Sequence, residues 1–132
     1  MTISIPVYYT QEFKTKPSKT FLVSLNWYRN AHHFQQNLVK HHFHEILHNL
    51  LKNTEFNLEQ YKVDYTYHYK SKTSDLPNVG PMASKWFNDY LQESGKIKND
   101  NVQFLLEEHY YVGTHDRDNP RIDITISPIV KE

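Results

Sequence analysis

Apolar and polar residues alternate over the first positions of the chain. Ile3, Ile5, Val7 and Tyr9 interleave with Thr2, Ser4, Pro6 and Tyr8, a period of two that predicts a strand. Pro6 has no N–H to donate, so it places this strand at a sheet edge or at a break in the ladder. Residues 11–20 are polar and carry Lys14, Lys16 and Lys19. They read as a loop, either a solubilising connector or a basic segment able to touch phosphate. Phe21, Leu22 and Val23 look buried. Residues 26–30 then turn into a long helix over about 31–53, with Val39, Phe43, Ile46, Leu47 and Leu50 on one face.

Alternation returns in VDYTYHY (63–69), which predicts a second strand. Gly80 and Pro81 break the pattern, and Pro81 suits the first turn of a second helix. Met82, Ala83, Trp86, Phe87, Tyr90 and Leu91 form its apolar stripe, and Ser94 and Gly95 mark its end. Residues 102–113 and 121–129 read as the third and fourth strands, the last alternating Ile122, Ile124 and Ile126. The order β-α-β-α-β-β predicts one α/β (α+β) domain over residues 1–132, with a mixed sheet and two main helices. Tyr8, Tyr9, Tyr110 and Tyr111 fall on strands, where core packing is expected and a dimer contact is the alternative.

Composition narrows the classes. The chain has no cysteine, which excludes disulfides and thiolate metal sites and suits a reducing compartment. No long apolar run predicts a membrane span or a signal peptide. With ten tyrosines and three glycines, it is an aromatic-packed domain rather than a disordered tail. The formal net charge is zero, but it is unevenly spread. Residues 1–72 hold nine Lys/Arg against five Asp/Glu, and residues 73–132 hold six against ten. A basic first half beside an acidic second half suits a polyanion surface next to a carboxylate site, or simply a polar solvated exterior.

Two groups of residues carry candidate chemistry. On the first helix, His41, His44 and His48 share a face with Glu45. Such a face can bind zinc or nickel, meet phosphate, or be merely solvated. On and around the second helix, Asp75 and Asp100 flank the helical segment and Lys85 stands on it, with Asp89 one turn further on. If the flanking segments turn back, the two carboxylates converge. With a lysine nearby, they would hold a hard divalent cation against a phosphate. The plainer alternative makes Asp75 a loop or N-cap residue and Asp100 a turn residue.

The order of these residues resembles the RusA family of Holliday-junction resolvases, small phage-type endonucleases. The family pattern is D-x-D-N, then a helix with K-x-x-x-D-x-L, then G, then a D-D pair. Here the corresponding residues are Asp75-Leu76-Pro77-Asn78, Lys85 to Leu91, Gly95 and Asn99-Asp100, and the early S-L-N-W-Y-R (24–29) looks like the family's N-terminal turn. The resemblance implies Asp75, Asp100 and Lys85 as catalytic residues. Asp75 and Asp100 would hold Mg²⁺ (or Mn²⁺), and Asn78 and Asp89 would act in support. It also implies a homodimer on four-way DNA in the cytoplasm of a bacterial host, encoded by a phage or prophage. Lys14, Lys16, Lys19, Arg29, Lys40, Lys70 and Lys72 would contact backbone phosphates. Two positions depart from the pattern: Pro77 replaces the second aspartate of D-x-D-N, and Asn99 replaces the first of the D-D pair. Asp89, Asp64 and Glu93 are the candidates to replace the missing ligand.

Overall fold

The alternating N-terminal residues form two strands rather than one. The computed structural model describes residues 1–56, 58–98 and 100–129. Strand β1 (Thr2–Pro6) ends at the proline, and β2 (Tyr8–Gln11) belongs to a different sheet. Pro6 is the last residue of β1 in register with a neighbour, opposite Arg121, and the missing N–H ends the ladder there. β2 pairs with β3 (Lys19–Leu22) as a hairpin, so the predicted 11–20 loop shortens to residues 12–18. The hydroxyls of Thr10 and Thr20 meet across it at 2.8 Å.

The predicted first helix is also divided. A short helix α1 (Leu25–Asn30) starts at Ser24, whose side chain accepts the N–H of Trp27, and stops at Ala31. Helix α2 (His33–Leu51) follows. Its buried residues are Val39, Phe43, Leu47 and Leu51, whereas Leu50 is exposed and Ile46 half-buried. The apolar stripe thus advances by four residues at each step and drifts around the helix, which carries Leu51 to the core in place of Leu50.

Strand β4 (Tyr61–Tyr69) leads through residues 70–75 into helix α3 (Leu76–Glu93), followed by β5 (Leu105–His115) and β6 (Arg121–Pro128). The main sheet has the order β1-β6-β4-β5. β6 lies antiparallel between β1 and β4, and β5 runs parallel to β4 with α3 as the crossover. The mixed sheet and the two long helices agree with the expected class; α1 and the hairpin are additions to it.

The two central strands of this sheet each have two unlike faces. Tyr61, Val63, Tyr65 and Tyr67 of β4, with Ile122, Ile124 and Ile126 of β6, are buried. The residues between them, including Asp64, Thr66, His68, Asp123 and Thr125, are only half-buried on the opposite face. The helices therefore cover one face, and the other stays polar. On the polar face His68 Nε2 lies 2.8 Å from Asp123, whose second oxygen accepts from Ser4 at 2.5 Å.

Helix α3 is held close to the sheet by a small residue and a polar network. A Cβ on Gly80 would stand 2.6 Å from Cδ1 of Tyr110, so only glycine allows this approach. Deeper in, the Tyr61 hydroxyl donates to buried Asn88 (3.1 Å), and Asn88 donates to the Ser84 carbonyl (2.9 Å). Ser84 in turn donates to Glu108 of β5 at 2.6 Å, where the Tyr110 hydroxyl also donates. Buried polar groups require such partners, and here they bind α3 to β4 and β5 at once.

Candidate functional site

The N-terminus of α3 lies earlier than the sequence pattern suggests. Asp75 is its N-cap, with extended backbone and a side chain that accepts the N–H of Asn78 at 2.9 Å. Pro77 stands in the first turn, where its missing N–H leaves no helical bond unmade. Pro81, expected to open the helix, lies inside it. The bond that Pro81 cannot make would have gone to the carbonyl of Pro77, still in the first turn. At the other end Gly95 takes a positive φ of 74° just beyond Ser94, as the glycine stop predicts.

Asn78 reaches outside its own helix. Its side-chain oxygen accepts the backbone N–H of Asn26 at 3.1 Å, which fastens the start of α1 to the start of α3. Two of the stretches that carry the resemblance, residues 24–29 and 75–78, are thus in direct contact.

Asp75 and Asp100 are not brought together within one chain. Asp75 follows the end of β4, and its carboxylate reinforces the effect of burial in raising the Tyr67 hydroxyl above the ordinary phenol range. Asp100 precedes β5, and it reinforces burial at Tyr61, the first residue of β4. Tyr61 and Tyr67 are separated by about 20 Å of extended strand. The 18 residues of α3 span about 27 Å between the two aspartates. The expected convergence fails because a full-length helix and a parallel strand pair set the two flanks at opposite ends of the crossover unit. One chain alone therefore does not fit a two-carboxylate Mg²⁺ site. Among the described residues, no three His, Asp or Glu side chains converge for a metal. Asn99 lies outside the described residues.

The remaining helix residues line the seam between α2 and α3. Lys85 Nζ lies 3.3 Å from Asp89 and 5.8 Å above the ring of Tyr28. Lys85 is ten residues along α3 from Asp75, about 15 Å, so it stands near neither end. Glu93 pairs with Lys40 at 3.0 Å and with His44 at 3.5 Å, and its hydrogen bond raises the Lys40 ammonium above its ordinary value. Asp89 and Glu93 are thus engaged with cations, and Asp64 sits in mid-strand on the polar face, opposite Thr125 and His109. None of the three stands beside Asp75 to replace the ligand lost at Pro77.

The histidine face is dispersed. His44 turns to Glu93 and to the ring of Tyr90, while His48 Nδ1 meets the Tyr90 hydroxyl at 3.5 Å. His41 and Glu45 are exposed. His42 packs against Tyr9 with centroids 4.9 Å apart, and burial lowers its pKa.

Of the expected phosphate contacts, Lys70 and Lys72 lie next to the α3 N-terminus. Lys70 Nζ rests 5.3 Å from the ring of Tyr8, the first residue of the hairpin. Lys72 lines a cavity of ≈ 320 Å³ with Tyr67, Tyr69, Ser74, Leu76 and Val112. Lys14, Lys16 and Lys19 are exposed on the hairpin that starts at Tyr8, Lys16 resting 4.4 Å over Phe13. Arg29 is in the last turn of α1. Lys40 stands apart, in its ion pair on α2. Contrary to the core packing that the strand pattern predicts for Tyr111, β5 is exposed, with Tyr111 at 50% and Val112 at 63%. The run L-E-E-H-Y-Y-V was a signal for it, since apolar and polar residues do not alternate there.

No family model and no curated protein matches the chain. No helix of the described residues is long and apolar enough to cross a membrane.

Proposed function

We propose that the protein is a Mg²⁺- (or Mn²⁺-) dependent, structure-selective endodeoxyribonuclease of the RusA type that resolves Holliday junctions and other branched DNA. The observation that carries this reading is the bond between Asn78 and Asn26. It joins two stretches that are 52 positions apart in sequence yet carry the same resemblance. Lys72, which shares a cavity with Leu76 of the first turn of α3, and Lys70, just beyond the end of β4, supply the cations that hold a phosphate backbone near Asp75. Because Asp75 and Asp100 lie at opposite ends of the β4–α3–β5 crossover unit within one chain, a cation served by both must be held between two copies. The homodimer is therefore a condition of the reading. The cytoplasm of a bacterial host, and a phage or prophage gene, follow from the same resemblance.

A second reading is favoured by Pro77. Its ring suits the first helical turn but offers no ligand, and the carboxylates nearest in sequence are engaged elsewhere. In this reading the fold binds branched DNA, or a host or phage protein, without cutting.

The test is cleavage of a labelled synthetic four-way junction in Mg²⁺ or Mn²⁺. Wild type should cut, while Asp75→Asn and Asp100→Asn should each be inactive. Mixing the two inactive variants should restore nicking, because one of the two shared sites in a mixed dimer keeps both aspartates. Junction binding without cleavage by wild type supports the second reading.

A further inference from the structure

The cavity of ≈ 320 Å³ beside Lys72 lies where the two parallel strands end. Tyr69 is the last residue of β4, and Val112 stands near the end of β5. Where a helix joins parallel strands, ligands bind in the crevice beyond the carboxyl ends of those strands. The walls here are aromatic and apolar. Val112 is in register with buried Tyr67 yet 63% exposed, so among the described residues the sheet is left open beside that ring. Tyr69 is set edge-on to Tyr67 with centroids 6.4 Å apart, and His115 stacks on it at 5.5 Å. His115 Nε2 donates to the carbonyl of Lys70 at 3.0 Å, which braces the Tyr69 ring from behind.

Polar groups are few. The hydroxyls of Tyr67 and Ser74 meet at 2.8 Å, a pair that can still donate and accept one further hydrogen bond. Lys72 is exposed, and among the described residues it is in no ion pair. Small-molecule sites span about 300–1,000 Å³, so a volume at the lower end suits one planar ring system rather than a base pair. Aromatic walls, a hydroxyl pair and an unpaired ammonium match a nucleobase that carries its own phosphate.

We propose that this cavity takes one unpaired nucleobase at a DNA branch point, stacked against Tyr69, with the phosphate of the same nucleotide held by Lys72. Resting on the endonuclease reading above, this site is the means by which a branch is told from a duplex. A base inside a duplex must be unpaired and unstacked before it can enter, whereas a base without a partner enters at less cost. Asp75 lies in the chain between Ser74 and Leu76, both at the cavity wall, so the strand beside the captured nucleotide passes the proposed metal ligand.

The test uses the full-length protein and a labelled four-way junction with one unpaired nucleotide at its centre, carrying either thymine or no base. Binding is followed by fluorescence anisotropy without divalent metal. Wild type should bind the thymine junction about tenfold more tightly than the abasic one. Tyr69→Phe should keep that ratio. Tyr69→Leu, which retains apolar bulk without the ring, should bring it to one with unchanged far-UV circular dichroism. Where Tyr69→Leu fails to fold, Val112→Trp, at an exposed position, fills the cavity instead and decides in the same way. Equal binding of the two junctions by wild type overturns the proposal, as does a full ratio in the folded variant. Cleavage in Mg²⁺ without base discrimination would leave the endonuclease reading standing and remove this one. Base discrimination without cleavage would do the reverse.

Discussion

The side-chain oxygen of Asn78 accepts the backbone N–H of Asn26 at 3.1 Å, and this bond sets the start of α1 against the start of α3. A single hydrogen bond of this kind contributes about 1 kcal/mol. Asn78→Ala should lower the melting midpoint by about 3–5 °C. Asn78→Asp keeps an acceptor and should lose less. Thermal unfolding of the two variants side by side checks the difference.

Asp75→Asn should separate capping from charge. Asparagine caps a helix about as well as aspartate, so stability without metal should stay within about 0.5 kcal/mol of wild type. Millimolar Mg²⁺ should raise the midpoint of wild type, through binding to the folded state, and leave Asp75→Asn unmoved. Equal shifts in both proteins would count against Asp75 as a ligand.

Gly80→Ala should destabilise although alanine is the better helix former. The new Cβ meets Tyr110 at 2.6 Å, and that ring cannot swing aside. It stacks on Tyr65 at 5.1 Å, and its hydroxyl is bonded to Glu108. Overpacking of this kind costs about 1–3 kcal/mol, more than the gain of up to about 1 kcal/mol in helix propensity. Urea unfolding gives the sign directly.

Asn88→Ala should cost about 1–3 kcal/mol, because the buried Tyr61 hydroxyl loses its acceptor. Burial already pushes the Tyr110 hydroxyl up to about 12, so it remains a protonated donor to Glu108 across the whole stability range. Combining Asn88→Ala with Tyr61→Phe removes donor and acceptor together and should recover part of the loss.

Asp123 ties stability to acid pH. Burial raises its pKa, but the Ser4 hydroxyl, His68 and Arg121 together outweigh this and hold the carboxyl below its ordinary value. A carboxyl depressed in the folded state stabilises above the unfolded pKa of about 3.9, and that stability is lost as pH falls through the lower folded value. Asp123→Asn should therefore be less stable at neutral pH and show a flatter decline below about pH 4. Unfolding measured from pH 2 to 7 tests both parts.

Much of the fold is local, and the sequence by itself determined it. The alternation of Tyr61, Val63, Tyr65 and Tyr67, and of Ile122, Ile124 and Ile126, can bury one face only in extended chain. The stripe from Met82 to Leu91 buries one face only in a helix, and Gly95 ends it because glycine accepts a positive φ. Other features depended on contacts that no local pattern carries. Pro77 and Pro81 each suit a first helical turn; the Asp75 cap and the fit of Gly80 against Tyr110 settled the start at Leu76. Leu51 rather than Leu50 entered the core because the sheet and α3, not α2, set where the core lies. Above all, the separation of Asp75 from Asp100 was decided by the parallel pairing of β4 with β5. A crossover helix between parallel strands must return the chain to the end from which it started, so residues on its two flanks stay a helix length apart, however near they stand in sequence.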